Sequence, residues 1–354
     1  MPKRIIFDIL LWCLLAVLLV VGFLNSSAVR LYPPVSLRYD TPISGQTAYK
    51  ARQYSVQNSE NETFWPTFWR EDTATLKSEL ASIKAGSISF SGESALVWPA
   101  EYLTGTAPGA VDITGCAISS ALAWRLWGSA DVVGKPVDID GEIRIVRGIF
   151  GYDKDLVLLS YSFEDTSQDW NAAELSGGKA YATRSDAESF AMISGLGKPD
   201  AIIMGSGLRF LSSGMALLPL IIVAVYAIIF IVVYFARSSV YTGRILLITV
   251  LIVFAIGLPL LLNLLPPWLI PSRWSDFSFW ANLKQQITDN LREFLAASPG
   301  SRDVESRLLI IKQAGIAMIS ACCAIIVCFR LSGSREKPNL RHPNICHSER
   351  SEES

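Results

Sequence analysis

The chain has almost no imidazole. Its two histidines, His342 and His347, both lie in the C-terminal tail, so the commonest general base and the commonest metal ligand are missing from the rest of the chain. A G-x-S-x-G nucleophile elbow is also absent. Acids are plentiful, Asp165 and Asp169 among them, but no spacing separates a tuned pair from a solvated loop. The expectation is therefore no intrinsic enzyme activity, no catalytic, cofactor-binding or metal-ligating residues, and no cofactor. Charge of one sign is lacking as well. Lys and Arg number 31 against 32 Asp and Glu, a net of −1, which leaves no basic footprint for nucleic acid. Cysteine is scarce outside apolar runs. Of Cys13, Cys116, Cys322, Cys323, Cys328 and Cys346, only Cys116 falls in the large polar segment, so no disulfide can form within that segment. The adjacent Cys322 and Cys323 have no histidine near them and read as small hydrophobes.

What the chain has is apolar length. With 51% hydrophobic residues and a mean hydropathy of +0.35 it is too apolar for an ordinary soluble protein, and 354 residues allow about two domains. Four runs stand out: Ile5–Leu24 with only Asp8 charged, Met215–Phe235 with no charge, Ile245–Leu265 with Asn263, and Leu308–Phe329 with Lys312 placed to snorkel. Each has about the twenty residues that cross a ~30 Å hydrocarbon core. The first could be a signal peptide with Asn25–Ala28 as cleavage context, but it exceeds the ~7–15 residues of such an apolar region and reads as an anchor. In the last, Ala317/Ala321 and Ser320/Ala324 match close helix packing in lipid, or are unpatterned small residues. Lys3 and Arg4, then Arg237 and Arg244, then Arg330, Arg335, Lys337 and Arg341 all fall on one side of a four-span arrangement, which makes that side the cytoplasm.

The expected organisation follows. Residues 1–24 are a cytoplasmic N-terminus and first span, and 25–214 an extracytoplasmic domain. Residues 215–265 are two spans joined by a short cytoplasmic loop, 266–307 an outer loop, 308–329 the fourth span, and 330–354 a cytoplasmic tail that reads as disordered. The tail's ending, His347–Ser354, looks like translated intergenic repeat DNA. In the outer loop Trp280, Leu283, Ile287, Leu291 and Phe294 recur at helical spacing, predicting an amphipathic helix that lies either on the bilayer or under the large domain.

Residues 25–214 hold 22 Asp and Glu against 16 Lys and Arg, a net of −6. Thr73 followed by Leu76, Leu80 and Ile83 predicts a capped helix. Ser87–Ser91 and Ala95–Trp98 read as strands around Gly92-Glu93. Leu156–Tyr161 reads as a strand, Glu164–Asn171 as a polar loop, Lys179–Thr183 as a short strand, Ala187–Ser194 as a helix and Ala201–Met204 as a last strand. Strands and helices mix without βαβ regularity, so the class is an α+β domain on a four-helix, all-α transmembrane region.

The stretch Val111–Phe150 is the most consistently patterned. Cys116–Ile118 is a short apolar strand, and Ser119 can cap a helix carrying Leu122 and Leu126 on one face. Gly128 ends that helix. Val137–Ile139 and Ile143–Val146 then flank Asp140-Gly141, the dipeptide of a two-residue hairpin turn.

On these residues the chain resembles the extracytoplasmic core domain of MacB-type ABC transporter permeases. Ile118-Ser119 leads a helix closing on Leu126-Trp127-Gly128, the step Gly134-Lys135 follows, and the hairpin closes on Val146-Arg147-Gly148-Ile149. The order of one span, a large outer domain and three further spans is similar to that family over residues 5–329. The resemblance implies a permease-like subunit at the plasma membrane. It would work as a homo- or heterodimer in the lipid bilayer with a cytoplasmic ABC ATPase, and would relay motion to the outer domain for export, extraction or signalling. Between the second and third spans the chain has only Ala236–Arg244 and lacks the family's acidic-Ile-Gly docking signature. A membrane-anchored accessory module uncoupled from ATP is therefore the alternative reading. Leu175-Ser176-Gly177-Gly178 echoes an ATPase signature without a Walker A motif. Gly128-x5-Gly134-Lys135-Pro136 echoes a P-loop but is one residue too long, with proline in place of the hydroxyl. Asn61-Glu62-Thr63 matches a glycosylation sequon. All three read as coincidence.

Overall fold

In a computed structural model the chain is described over residues 2–29, 32–60, 63–178, 182–236, 277–297 and 300–333. The expected span Ile245–Leu265, the connection 237–244, the end of the tail, Asn61-Glu62 and the first residues of the strand expected at Lys179–Thr183 lie outside the described residues.

Local chemistry builds the stretch 111–150 as its pattern predicts. β5 in the chain's strand order, Gly115–Ser119, ends on Ser119, whose Oγ accepts the Leu122 N–H at 3.2 Å and starts α4, Ser120–Trp127. Gly128 closes that helix at φ 66°. β6 (Pro136–Ile139) and β7 (Glu142–Phe150) meet at Asp140-Gly141, whose φ values of 51° and 95° are those of a type I′ turn. The turn docks on β2, Phe64–Lys77: the Thr75 N–H donates to Asp140 Oδ1 at 2.9 Å, and the Asp140 N–H to Thr75 O at 3.1 Å.

That docking closes a ring. β2 pairs with β3 (Ser82–Ser91), β3 with β8 (Leu156–Ser160), β8 with β5, β5 with β7, β7 with β6, and β6 again with β2. The β3–β8 and β5–β7 ladders are parallel and the rest of the ring antiparallel. Leu76, Ile83, Cys116, Ile118, Leu122, Leu126, Val146 and Val157 share one buried core with it. β4 (Tyr102–Gly105) extends from β7. On the other side of β2 the sheet continues through β9 (Trp170–Gly177), β1 (Val35–Ile43) and the edge strand β10 (Ala201–Met204). α2 (Gly45–Gln57) and α5 (Arg184–Ile193) cover this wing, burying Leu37, Phe68, Phe190 and Trp170.

Burial pushes the Cys116 thiol from an ordinary 9.0 up to about 12. A raised pKa favours the folded state below the unfolded value, so this contribution is complete below pH 9 and is lost as pH rises toward about 12. With the other cysteines replaced by serine, Cys116 should resist iodoacetamide at pH 8 until the protein is unfolded. Labelling at the rate of a free thiol in the folded protein would contradict its burial in β5.

Four local expectations fail in whole or in part. The helix predicted through Leu76, Leu80 and Ile83 is the β2–β3 hairpin, paired from Phe68↔Ser91 to Lys77↔Ser82. Ala74 and Leu76, then Ile83 and Ala85, face inward at a period of two, while Leu80 is exposed at the turn. Ser78 Oγ holds that turn by accepting the Leu80 and Ala81 N–H groups, each at 3.1 Å. Ala95–Trp98 is not a strand. It falls in α3 (Ser94–Val97), a single helical turn entered through Gly92 at φ 132°. The loop expected at Glu164–Asn171 ends early, because Trp170 opens β9. Ala172, Ala173 and Glu174 carry little intrinsic strand preference, and it is the ladders to β1 and β2 on either side that hold them extended. Of the strand expected at Lys179–Thr183, Ala182 and Thr183 are not extended in a ladder, and Thr183 caps α5 instead.

Three helices are long and apolar enough to cross a membrane among the described residues: α1 (Pro2–Val29), α6 (Gly205–Ala236) and α8 (Ser301–Gly333). α7 (Phe277–Ala296) lies between the last two. α1 and α8 run antiparallel, with Asp8 paired to Arg330 at 2.7 Å, Gly22 against Ile316, and Asn25 bonded to Gln313 at 2.9 Å. Ala317, Ser320 and Ala324 are buried, so the small residues do form a packing face.

Candidate functional site at the junction of sheet and membrane helices

The helices leave the sheet as direct continuations of its strands. β10 becomes α6 without a linker at Gly205, whose Cα sits against Pro33 so closely that a Cβ would overlap Pro33 O. β1 pairs with β10 from Val35↔Met204 and follows α1 after a short connection. α1 and α6 therefore enter side by side at one sheet edge.

α8 reaches the sheet differently, through charge. The Glu71 carboxylate accepts the Ser301 N–H at 2.7 Å and the Ser301 hydroxyl, so a strand residue caps the helix and complements its dipole. Arg302, 4% exposed, lies over the rings of Tyr32 and Trp69 at 5.0 and 4.9 Å. Its Nη1 donates to Leu96 O and Val97 O at 3.1 and 3.2 Å, and its Nη2 is ion-paired with Glu174 Oε1 at 2.8 Å. Glu174 is fully buried. It also accepts from Trp69 Nε1 at 2.8 Å and from the Ser36 hydroxyl at 3.0 Å. Arg38 stacks over the same Trp69 ring at 4.7 Å, donates to Asp303 at 2.9 Å and lies 3.6 Å from Glu174.

The four side chains are two cations and two anions. A buried charge is tolerable only when paired and hydrogen-bonded, and here each guanidinium faces both carboxylates. Burial alone would lower the Arg38 pKa, but Asp303 and Glu174 outweigh it and hold it above its ordinary value. Burial raises the Tyr32 hydroxyl. Lysine would not replace either arginine, because stacking and forked donation both need a planar cation.

Two further contacts brace the junction. Arg307 of α8 donates to Phe294 O at 3.1 Å and to Ala297 O, satisfying carbonyls at the end of α7. α7 in turn covers the open edge of β10. Asn290 accepts the Met204 N–H at 2.7 Å and donates to Met204 O at 3.0 Å, while Glu293 accepts the Ile202 N–H at 3.1 Å and grips Arg184 at 2.8 and 2.9 Å. Side chains stand where a further strand would pair, which shields the edge. The C-terminal end of the amphipathic helix thus packs under the domain, with Phe294 buried, while Trp280 near its start is exposed. A polar belt lies lower down: Asn25 also donates to Leu309 O at 3.0 Å, and Gln313 to Ser212 O at 3.4 Å.

Chemically this is a joint. Glu174 and Asp303 are committed to arginines and Glu71 to the Ser301 cap, and no group of His, Cys, Asp and Glu suited to a metal occurs among the described residues. Sequence reasoning named no site residue here. Glu174 sits directly before the ATPase-like Leu175–Gly178, whose first three residues end β9, with Leu175 in the core. Gly134 of the P-loop echoes is a turn whose N–H bonds Val146 O at 2.7 Å. The usable signal was the acid Glu174 within an otherwise small and apolar run, together with Ser301-Arg302-Asp303 at the head of an apolar span.

No family model matches the chain, and no curated protein sequence matches it. Among solved structures it is similar to the extracellular domain of the noncanonic ABC-type transporter YknZ from Gram-positive bacteria, at 12% identity and a TM-score of 0.38 over 48% of this chain and 96% of that one. The periplasmic region of MacB from Actinobacillus actinomycetemcomitans is similar at 10% identity and 0.40, over 49% and 89%. A permease-protein domain from Porphyromonas gingivalis is similar at 15% and 0.33, over 46% and 81%. Two of these three are thus extracytoplasmic regions, one of them of an ABC-type transporter, and the third is a domain of a permease protein. At these identities and scores the likeness carries no argument about activity.

Proposed function

We propose that the chain is a permease-like membrane subunit of MacB type, with both termini in the cytoplasm and the α+β domain outside. It would transmit movement of its membrane helices, driven by a partner ABC ATPase, to that domain for export, extraction or signalling. The observation that carries this reading is the Arg302 joint. The first turn of α8 is tied to the sheet through Glu174, Glu71 and Arg38, so an axial or tilting motion of α8 would pull on the sheet. The continuity of β10 with α6 supports the same mechanics. The bilayer and a second permease copy or sister permease complete the assembly in this reading, and hydrolysis belongs to the ATPase.

A second reading, an accessory module without ATP coupling, is favoured by the short Ala236–Arg244 connection and its missing docking signature. A mild-detergent pull-down separates the two. The coupled subunit co-purifies with an ATPase and changes its hydrolysis rate, and mutating that ATPase's Walker lysine reproduces the loss of the subunit. An absent ATPase together with an unchanged phenotype would sink the first reading. Orientation is tested by labelling a cysteine placed at the exposed Ser59, which should react with an impermeant reagent in intact cells.

A further inference from the structure

A cavity of about 490 Å³ lies away from the joint, between α2, β2, β9 and the segments that carry Glu93, Pro108 and Phe163. Its size is that of small-ligand sites. Arg52 of α2 enters it with its guanidinium between two rings, 4.7 Å from Trp65 and 4.5 Å from Phe163. The two rings hold the cation in place by cation–π attraction and supply no acceptor for its N–H donors, which are left for a ligand. Among the described residues no carboxylate is ion-paired with Arg52 and no hydrogen bond to its guanidinium is made, unlike Arg38 and Arg302. Its pKa falls below the ordinary value because burial is not offset by an anion.

The backbone is shaped to keep this arrangement. Gly177, at φ 72°, lets the Trp65 ring lie where a Cβ would come within 2.9 Å of Cδ1. Gly92, at φ 132°, presses against Thr67, whose Oγ1 accepts the Glu93 N–H at 3.1 Å. Ser94 and Ser176 add hydroxyls to the wall, and Glu93 is exposed at the rim.

We propose that this pocket binds a carboxylate, held edge-on by the free N–H donors of Arg52 between Trp65 and Phe163. One cation beside an exposed acid, in a domain of net −6, suits a monoanion better than a phosphate dianion. The planar fork of the guanidinium matches the two oxygens of a carboxylate. The carboxylate could belong to a free small acid or to the end of a polypeptide.

The test uses the full-length protein in detergent and isothermal titration with four probes, N-acetyl-phenylalanine, the peptide acid acetyl-Ala-Ala-Phe and the amide of each, with inorganic phosphate added as a competitor. The expected result is saturable binding of at least one acid, with its amide at least tenfold weaker and no competition from phosphate at equal concentration. Binding of the peptide acid alone assigns the site to a polypeptide end, and binding of both assigns it to small acids generally. R52Q should lose at least tenfold, and R52K should lose most of the affinity despite keeping the charge. The comparison of acid with amide needs no variant, so a poorly folding R52Q does not weaken the test. No saturable binding, equal binding of acid and amide, or equal competition by phosphate overturns the proposal and leaves Arg52 as a staple between α2 and the Phe163 loop.

Discussion

Glu174→Ala is expected to destabilise the protein by about 3–5 kcal/mol, because it strands buried arginines without their shared anion. Glu174 is the hub of the joint: Arg302, Arg38, Trp69 and Ser36 all converge on its Oε1. Thermal unfolding in detergent reads the loss as a fall in Tm. Glu174→Gln should fall between wild type and alanine, since it keeps an acceptor for Trp69 and Ser36 but not the charge. The double variant E174L/R302M removes anion and cation together and should be less damaging than E174A, a coupling that a double-mutant cycle measures directly. An E174A protein as stable as wild type would show that the four charges are hydrated rather than buried. If the proposed mechanics hold, the double variant carries a functional signature too. The partner ATPase would still turn over while transport is lost, because α8 would move without the sheet.

Phe294→Ala is expected to cost about as much, about 3–5 kcal/mol, by emptying a packed site. Phe294 is fully buried, sits edge-on to Tyr32 with ring centroids 5.7 Å apart, and shares a cluster with Val29, Ile203, Leu208 and Ile310. That cluster joins α1, β10, α6, α7 and α8 in one place. Its loss should release α7 from the sheet, so hydrogen exchange should quicken along Phe277–Ala296 and at the Ile202 and Met204 amides that Glu293 and Asn290 protect. Unchanged exchange at those two amides would mean that α7 holds the β10 edge without Phe294.

Legibility in the sequence depended on how local the physics was. Ser119 as a cap, Gly128 as a helix end and Asp140-Gly141 as a tight turn were readable because each rests on a conformational preference of one or two residues. β10, the body of α5 though not its start at Arg184, and the apolar spans within α1, α6 and α8 were readable for similar reasons. The β2–β3 hairpin was not. Three apolar residues at i, i+4 and i+7 mimic a helix stripe, and only the ladder with β3 and the neighbours of Ala74, Leu76 and Ile83 decide for strand. β9 was hidden because its own residues are poor strand formers that two flanking strands hold in place.

The sequence by itself determined that this is a membrane protein in outline, with apolar helices around a mixed domain, and it determined the turns and caps of residues 111–150. Each of those depends on neighbours in the chain, so spacing records it. Only the tertiary structure decided the joint. Arg38, Trp69, Glu71, Glu174 and Arg302 come from β1, β2, β9 and α8, and their charges cancel only when the sheet brings them within hydrogen-bonding distance. A buried ion network has no period along the chain, because what stabilises it is compensation in space.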